Sequence, residues 1–459
     1  MSEAMSIGTF GDPRRAARGA WLFERVVSNG TLVQRRIGGD RAGELAAHRF
    51  FGCPAVTTEE IVSTLCDRTG LACAGRRIIA VQDTTEINFR GRDKARRGLG
   101  RGGDGVGLGF FIHGMVAIDA EDEAVVGLLD AAIWTRAADN DGQACRRRRK
   151  RPLEDKESKR WLEAARRAKE RAASAAQLIV VGDRESDIYL LFVRCPEGVE
   201  LVVRAAQDRA LADGGRLFER PAAWTVLATD RVRVAPRRAG DPGRCATVSL
   251  RAGRVCLKRP RHGADPGDPE TIALTLVEAK EDQPPPGVAP LHWRLLTTLP
   301  AEDAAAAREI VQIYRLRWRI EQTFRALKSD GLGLEQVQVQ DAERLFKLAA
   351  VGIAAAVRTI QLVDARDGGN RPASDVADAD MVAAAHALLP TLEGNTARQK
   401  NPHPPESLAW LAWIIARLGG WNCYYKPPGP KTMRAGWNRF AAMAAGYHVA
   451  LHQHSRDPQ

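Results

Sequence analysis

Three carboxylates in this chain sit where chemistry could be done. Asp83 ends the apolar run of "RRIIAVQDTTEINF" (76–89), and Asp183 follows the apolar run of "QLIVVGDRESD" (177–187). Each is the first acidic residue past what reads as a strand, and open α/β sheets bind ligands at the carboxyl edge of their strands. Either Asp alone also reads as a loop residue or helix cap. Glu185 and Asp187 compete with Asp183 but lie within or just before the next helix, where their direction is less defined. The third carboxylate, Glu321, stands among five cations in "YRLRWRIEQTFRALK" (314–328).

As one helix at about 100° per residue, this last stretch gathers Ile313, Leu316, Ile320, Phe324 and Leu327 on an apolar arc. Tyr314, Arg317, Glu321 and Lys328 fall in a neighbouring arc about 60° wide. Glu321 therefore lies beside the buried stripe. The plain alternative is an Arg317–Glu321 pair one turn apart, worth a few tenths of a kcal/mol. The chemical alternative is a carboxylate that holds a divalent metal, flanked by cations that grip phosphates. Three acids from two strand ends and a helix can hold two Mg²⁺ ions about 3.5–4 Å apart, because Mg²⁺ is hard and prefers carboxylate oxygen and water.

The elements that must position these groups read in order. Residues 1–72 form a helical domain, opened by Asp12 as N-cap and Pro13 at the first helical position and closed by "TTEEIVSTLCDRTG". Residues 73–365 form an α/β core. It holds the strand before Asp83, then "GLGFFIHGMVAI" and "EAVVGLLDAAIW" as an antiparallel hairpin, then a helix at 154–175. The strand before Asp183, a short helix near 186–193 and the strand "VELVVRA" complete it. A β-rich insertion follows at about 206–302, and a long helix begins near Ala304. "DARDGGNRPAS" reads as a linker. Residues 366–459 form a C-terminal helical domain, with the last dozen residues frayed and His448, His452 and His454 in the tail.

The string Tyr314-x2-Arg317-x3-Glu321-x6-Lys328 resembles the signature helix of the cut-and-paste DDE transposases of the insertion sequence four family, transposon-five type. "QDTTEINF", "GDRESDIY", "EDKESKRWL", "RLRWRIEQTFRALK" and "GDPRRAAR" match that type over nearly the whole chain. The resemblance implies a ribonuclease H-like catalytic core with the β-rich insertion, flanked by helical N- and C-terminal domains. It makes Asp83, Asp183 and Glu321 the catalytic, metal-binding triad for two Mg²⁺, with Mn²⁺ able to substitute. Tyr314, Arg317 and Lys328 hold phosphates in such a site. Trp293, on the insertion, sits where the family stacks a flipped base; as a residue it also reads as a core Trp on a strand. Arg14, Arg15 and Arg18 match the basic patch on terminal-repeat DNA, against a solvated helix face as the plain alternative. Arg204 is a weaker phosphate clamp. The partners implied are double-stranded DNA and a second copy of the chain in a synaptic complex. Trp410, Trp413 and Ile414 lie on the helices of the dimer contact. The glycine-rich "RGLGRGGDGVGLGFF" and the C-terminal "NCYYKPPGPKTMRAG" depart from the pattern.

Composition is compatible with this. The net charge is +12 and Arg outnumbers Lys, as for a polyanion-binding protein or simply for a GC-rich coding sequence. "RRRRKR" (146–151) reads equally as a solvated loop or as non-specific attraction for DNA. The eight cysteines are scattered without CxxC or finger spacing, which suits a reducing cytosol; the resemblance implies a bacterial cytoplasm. The longest apolar stretch, Leu348–Val357, is too short to span a bilayer, so no membrane role is expected.

Overall fold

Asp12 and Pro13 start the first helix as the sequence predicts. In the computed structural model, which describes residues 5–89, 96–103, 107–136, 157–234, 243–262, 264–328, 331–369 and 371–454, α1 spans Pro13–Asn29. The Asp12 carboxylate accepts from the Arg14 amide at 2.7 Å, satisfying a donor that a helix start leaves orphaned. Three further helices follow: α2 (Gln34–Gly38), α3 (Arg41–Gly52) and α4 (Thr58–Ala72). The run "RRRRKR" lies outside the described residues.

Residue contacts group the chain into two units. The first holds Met1–Ala72, Thr84–Ala138 and Arg319–Gln459; the second holds Cys73–Asp83 and Asp139–Trp318. The chain passes from one to the other inside strand β1 (Arg77–Asn88).

In the second unit, β1 pairs in parallel with β5 (Gln177–Gly182), and β5 with β6 (Val199–Arg204). These strands are apolar on both faces, as parallel strands covered by helices are. The strands of the insertion, β7 (Ala228–Val234), β8 (Arg244–Lys258), β9 (Thr271–Glu281) and β10 (His292–Thr297), do not form a separate layer. β10 pairs antiparallel with β6, and β9, β8 and β7 extend the same sheet in that order. Helices α5 (Lys159–Arg171) and α6 (Tyr189–Arg194) pack together, and α7 (Ala304–Arg315) lies on β6, β8 and β9. Arg77 of β1 makes an ion pair with Glu309 of α7.

Two expectations are corrected here. The strand at Asp83 does not stop there; β1 continues to Asn88, with Thr85, Ile87 and Phe89 buried and Thr84, Glu86 and Asn88 half-buried. That two-residue alternation and its β-branched members are what a strand asks for, so Asp83 sits inside β1. The long helix from Ala304 is likewise two helices, α7 and α8 (Trp318–Lys328). At the break the Leu316 amide is shared between the Gln312 and Ile313 carbonyls, and the Arg317 amide bonds Tyr314 at 3.1 Å, the tighter winding of a 3₁₀ turn. The apolar stripe survives the break: Ile313, Leu316, Ile320, Phe324 and Leu327 are all buried.

In the first unit, β3 (Leu108–Asp119) and β4 (Val125–Trp134) form the expected hairpin. The glycine-rich stretch before it contributes β2 (Gly100–Arg101), paired with β3. Gly109 of β3 passes so near the Ile87 carbonyl that a Cβ would stand 2.3 Å from that oxygen, so only glycine fits. Helix α9 (Ala342–Ala365) packs on β4, α4 and α1. By length and composition it could cross a membrane, yet 83% of its most apolar stretch is buried inside the protein. After it come α10 (Ala379–Leu392), α11 (Leu408–Leu418) and α12 (Pro430–His454). The expected linker is anchored, since Arg371 is 5% exposed and ion-paired with Asp375. Of the last dozen residues, expected to be frayed, those up to His454 belong to α12, and 455–459 lie outside the described residues.

Candidate active site

The register of β1 on β5 brings two of the three candidate carboxylates to the same step. Ala80 faces Val180 and Val81 faces Val181. Asp83 and Asp183 each lie two residues farther on, just past the last paired step of this parallel ladder, whose strands run about 4.8 Å apart; Asp83 is still inside β1 there, while Asp183 is past the end of β5. β5 ends at Gly182 as read from the sequence, so Asp183 begins the turn. Its side chain accepts from the Glu185 amide at 2.8 Å and caps the 3₁₀ turn Arg184–Ser186.

The competing acids are occupied elsewhere. Asp187 has a fully buried side chain and meets Arg209 at 2.7 Å. It also accepts from the amides of Ala206 and Gln207 at 2.8 and 2.9 Å. A carboxylate so enclosed anchors the start of the insertion and has no room for a substrate. Glu185 is exposed and pairs with Arg160 at 2.9 Å.

Asp83 is reached by Arg317, whose Nη1 donates to Oδ2 at 3.2 Å; the side chains are 17% and 13% exposed. From Arg317 the contacts run on through aromatic rings. Its Cζ lies 5.9 Å from the Tyr314 ring and 6.0 Å from the Trp318 ring. Tyr314 meets Trp293 edge-on, with centroids 5.5 Å apart. Asp83, Arg317, Tyr314 and Trp293 thus form one run of contacts within the second unit. The Tyr314 hydroxyl is buried without a hydrogen-bond partner among the described residues, an arrangement that costs free energy unless a further polar group reaches it. Trp293 is buried at 9% exposure, whereas Trp318 is 47% exposed. Trp318 was missed as a candidate although it directly follows Arg317; with the stretch taken as one unbroken helix, nothing marks residue 318 as the exposed start of a new one.

Glu321 and Lys328 belong to the first unit. Glu321 lies half-buried in the first turn of α8. Lys328, in its last turn, has Glu335 at 3.9 Å. Burial pushes its ammonium below the usual lysine range, against the pull of Glu335 and Glu86. Among the described residues, no three His, Cys, Asp or Glu side chains stand close enough to hold a metal ion. Two aspartates past the end of one parallel ladder are nonetheless a donor set that a hard divalent ion can use, since such an ion can bind through one or two carboxylates and complete its shell with waters and substrate phosphates.

The basic candidates divide. Arg14 and Arg18 are exposed on α1, with Arg18 over the Trp21 ring at 5.0 Å. Arg15 turns back to the Phe10 carbonyl, and Arg204 donates to the His292 carbonyl at 3.2 Å. Trp410, Trp413 and Ile414 are buried within the chain itself, so these side chains serve its own core.

The sequence matches the family described as Transposase DDE domain over residues 121–357, just over half of the chain, a span that contains Asp183 and Glu321 and begins after Asp83. By that match the protein belongs to the transposase DDE domain family.

Proposed function

We propose that this chain is a cut-and-paste transposase of the insertion sequence four family, transposon-five type, built on a ribonuclease H-like core. In this reading Asp83, Asp183 and Glu321 hold two Mg²⁺ ions, with Mn²⁺ able to substitute. When bound, the ions supply an activated nucleophile and neutralise the leaving 3′ oxygen. The observation that carries the reading is that Asp83 and Asp183 each follow by two residues the last paired step of β1 on β5, Val81 against Val181, with Arg317, four residues before Glu321, bonded to Asp83.

The chain's own residues have separable tasks. Arg317 balances the Asp83 charge and presents a guanidinium to an incoming phosphate, a match that lysine does not reproduce. The buried Tyr314 hydroxyl gains a partner when a phosphate oxygen arrives beside it. Lys328, poorly solvated, gains from any added negative charge. Arg14 and Arg18 add phosphate contacts on the terminal-repeat DNA, and their binding weakens with salt. Arg15 and Arg204 belong to the same phosphate-binding set, although each already serves a backbone carbonyl. Strand cleavage proceeds by a first nick, attack of the freed 3′-hydroxyl on the opposite strand to close a hairpin, and hydrolysis of that hairpin. Excision and joining to target DNA follow in a synaptic dimer.

A base flipped during hairpin formation needs an aromatic face. Trp293 is the candidate by family likeness; the exposure of Trp318 favours it as a second. Glu321→Gln is expected to lower Mg²⁺-dependent cleavage of end-containing DNA by about 10⁴-fold, some 5 kcal/mol, while end binding in a mobility-shift assay persists. Undiminished cleavage by that variant removes Glu321 from the metal site.

A further inference from the structure

Arg358, on α9, is 4% exposed. Its Nη1 is buried and has no hydrogen-bond partner among the described residues. Burying a charged group's N–H without an acceptor costs free energy, so a native chain that keeps one there calls for an explanation.

Arg358 lines a cavity of about 740 Å³ inside the first unit, together with Arg68 and Arg371. Arg371 is already occupied: it meets Asp375 at 2.7 Å and donates to the Val125 and Val126 carbonyls. Arg68 donates to the Ser6 carbonyl at 3.2 Å. Asp67 and Asp375 also line the cavity, so among the described residues three guanidinium groups share its wall with two carboxylates. Burial first, and then the charges of Arg68 and Arg371, push the Arg358 pKa down to about 9 against the pull of Asp375. The group remains a cation at neutral pH, with an excess of positive charge around it.

The rest of the wall is mixed. Thr64, Thr69 and Gln361 supply polar groups, while Phe23, Leu65 and Val357 supply apolar surface. The volume falls within the range of small-molecule sites, which pair apolar walls with a few convergent polar groups.

We propose that this cavity is an anion site in which Arg358, supported by Arg68, binds the phosphate group of a small molecule. A tetrahedral oxyanion gives the buried Nη1 an acceptor and offsets the surplus charge; the guanidinium fork suits phosphate geometry. The site joins α4, β4, α9 and the turn at 371–375, so its occupant stabilises the first unit by binding only the folded state. It is separate from the nuclease reading and does not depend on it.

The test is calorimetric titration of the full-length protein with inorganic phosphate and, separately, with adenosine monophosphate, at matched ionic strength in chloride. Saturable binding of at least one ligand is expected, weakened tenfold or more in Arg358→Met, which still folds because it loses a buried unpaired charge. Arg358→Lys should retain part of the affinity. Should Arg358→Met fail to fold, Arg68→Gln is expected to weaken the same binding. Tighter binding of the nucleotide than of phosphate places an organic group on the apolar wall; equal binding assigns the site to the free ion. The proposal is overturned if neither ligand binds saturably at 10 mM, or if Arg358→Met, or Arg68→Gln in its place, binds as tightly as the unaltered protein.

Discussion

The end of the β1–β5 ladder and the anchor around Asp187 use carboxylates in opposite ways, although Asp187 comes only four positions after Asp183. Asp187 is sealed from solvent and receives Arg209 and two backbone amides, so its bonds belong to the fold. Asp183 is half-buried at a strand end, and Asp83 is 17% exposed against Arg317. The contrast teaches that a carboxylate's accessibility and register, more than its place in a motif, separate groups that can act on a ligand from groups that hold the chain.

Substituting the two positions alike tests this directly. Asp183→Asn is expected to lower DNA cleavage by about 10⁴-fold and to leave unfolding in urea within about 0.5 kcal/mol. Asp187→Asn is expected to do the reverse. It leaves Arg209 buried beside a neutral partner and costs about 3–5 kcal/mol of stability, with cleavage per folded molecule much less affected. If both variants lose stability alike, the distinction between edge and anchor fails.

A third carboxylate sharpens the comparison, because burial there is not fully repaid. Asp364 is 4% exposed and lies 2.7 Å from Arg319. Burial nevertheless outweighs the guanidinium and raises its pKa from 3.8 to about 6. The folded state then holds the proton more tightly than the unfolded chain does. The stabilisation is complete below about pH 4 and disappears as pH rises through 6, a loss of about 2–3 kcal/mol from this group. Thermal unfolding of Asp364→Asn followed from pH 4 to 7 should show a flatter profile than the parent protein. An unchanged slope assigns the pH dependence to other groups.

How much of this was legible in the sequence depended on range. Asp12 capping α1, the β3–β4 hairpin and the strand before Asp183 rest on neighbours in the chain, and they read correctly. The apolar stripe through Ile313 and Leu327 was also legible, since burial follows helical spacing. The break at Leu316–Arg317 was not: no Gly or Pro marks it, and Arg317 is bound to Asp83, 234 residues away. The extension of β1 past Asp83 was written in Thr84, Thr85 and Ile87 but was masked by the polar Gln82–Asp83 pair. That β10 docks on β6 and continues the sheet is a long-range pairing that no local pattern encodes. The Arg358 cavity draws on α4, β4 and α9, and arginines scattered among alanines in the sequence gave no hint of it.

The smallest expected effect concerns the two tryptophans beside Arg317 and Tyr314. If the chain works through the proposed hairpin, stacking a displaced base on an aromatic face is worth about 1–3 kcal/mol, so losing the right one is expected to slow hairpin formation by about 5- to 150-fold and to spare the first nick. Trp293 is 9% exposed and engaged with Tyr314, whereas Trp318 is 47% exposed. If Trp293 stacks the base, Trp293→Ala slows the hairpin step more than the nick on a gel time course, and the buried ring must be uncovered when DNA binds. If Trp318 stacks it, Trp318→Ala shows that selective delay with its melting temperature nearly unchanged, while Trp293→Ala slows both steps together through lost packing. Equal slowing of both steps by both variants would leave neither ring with a stacking role.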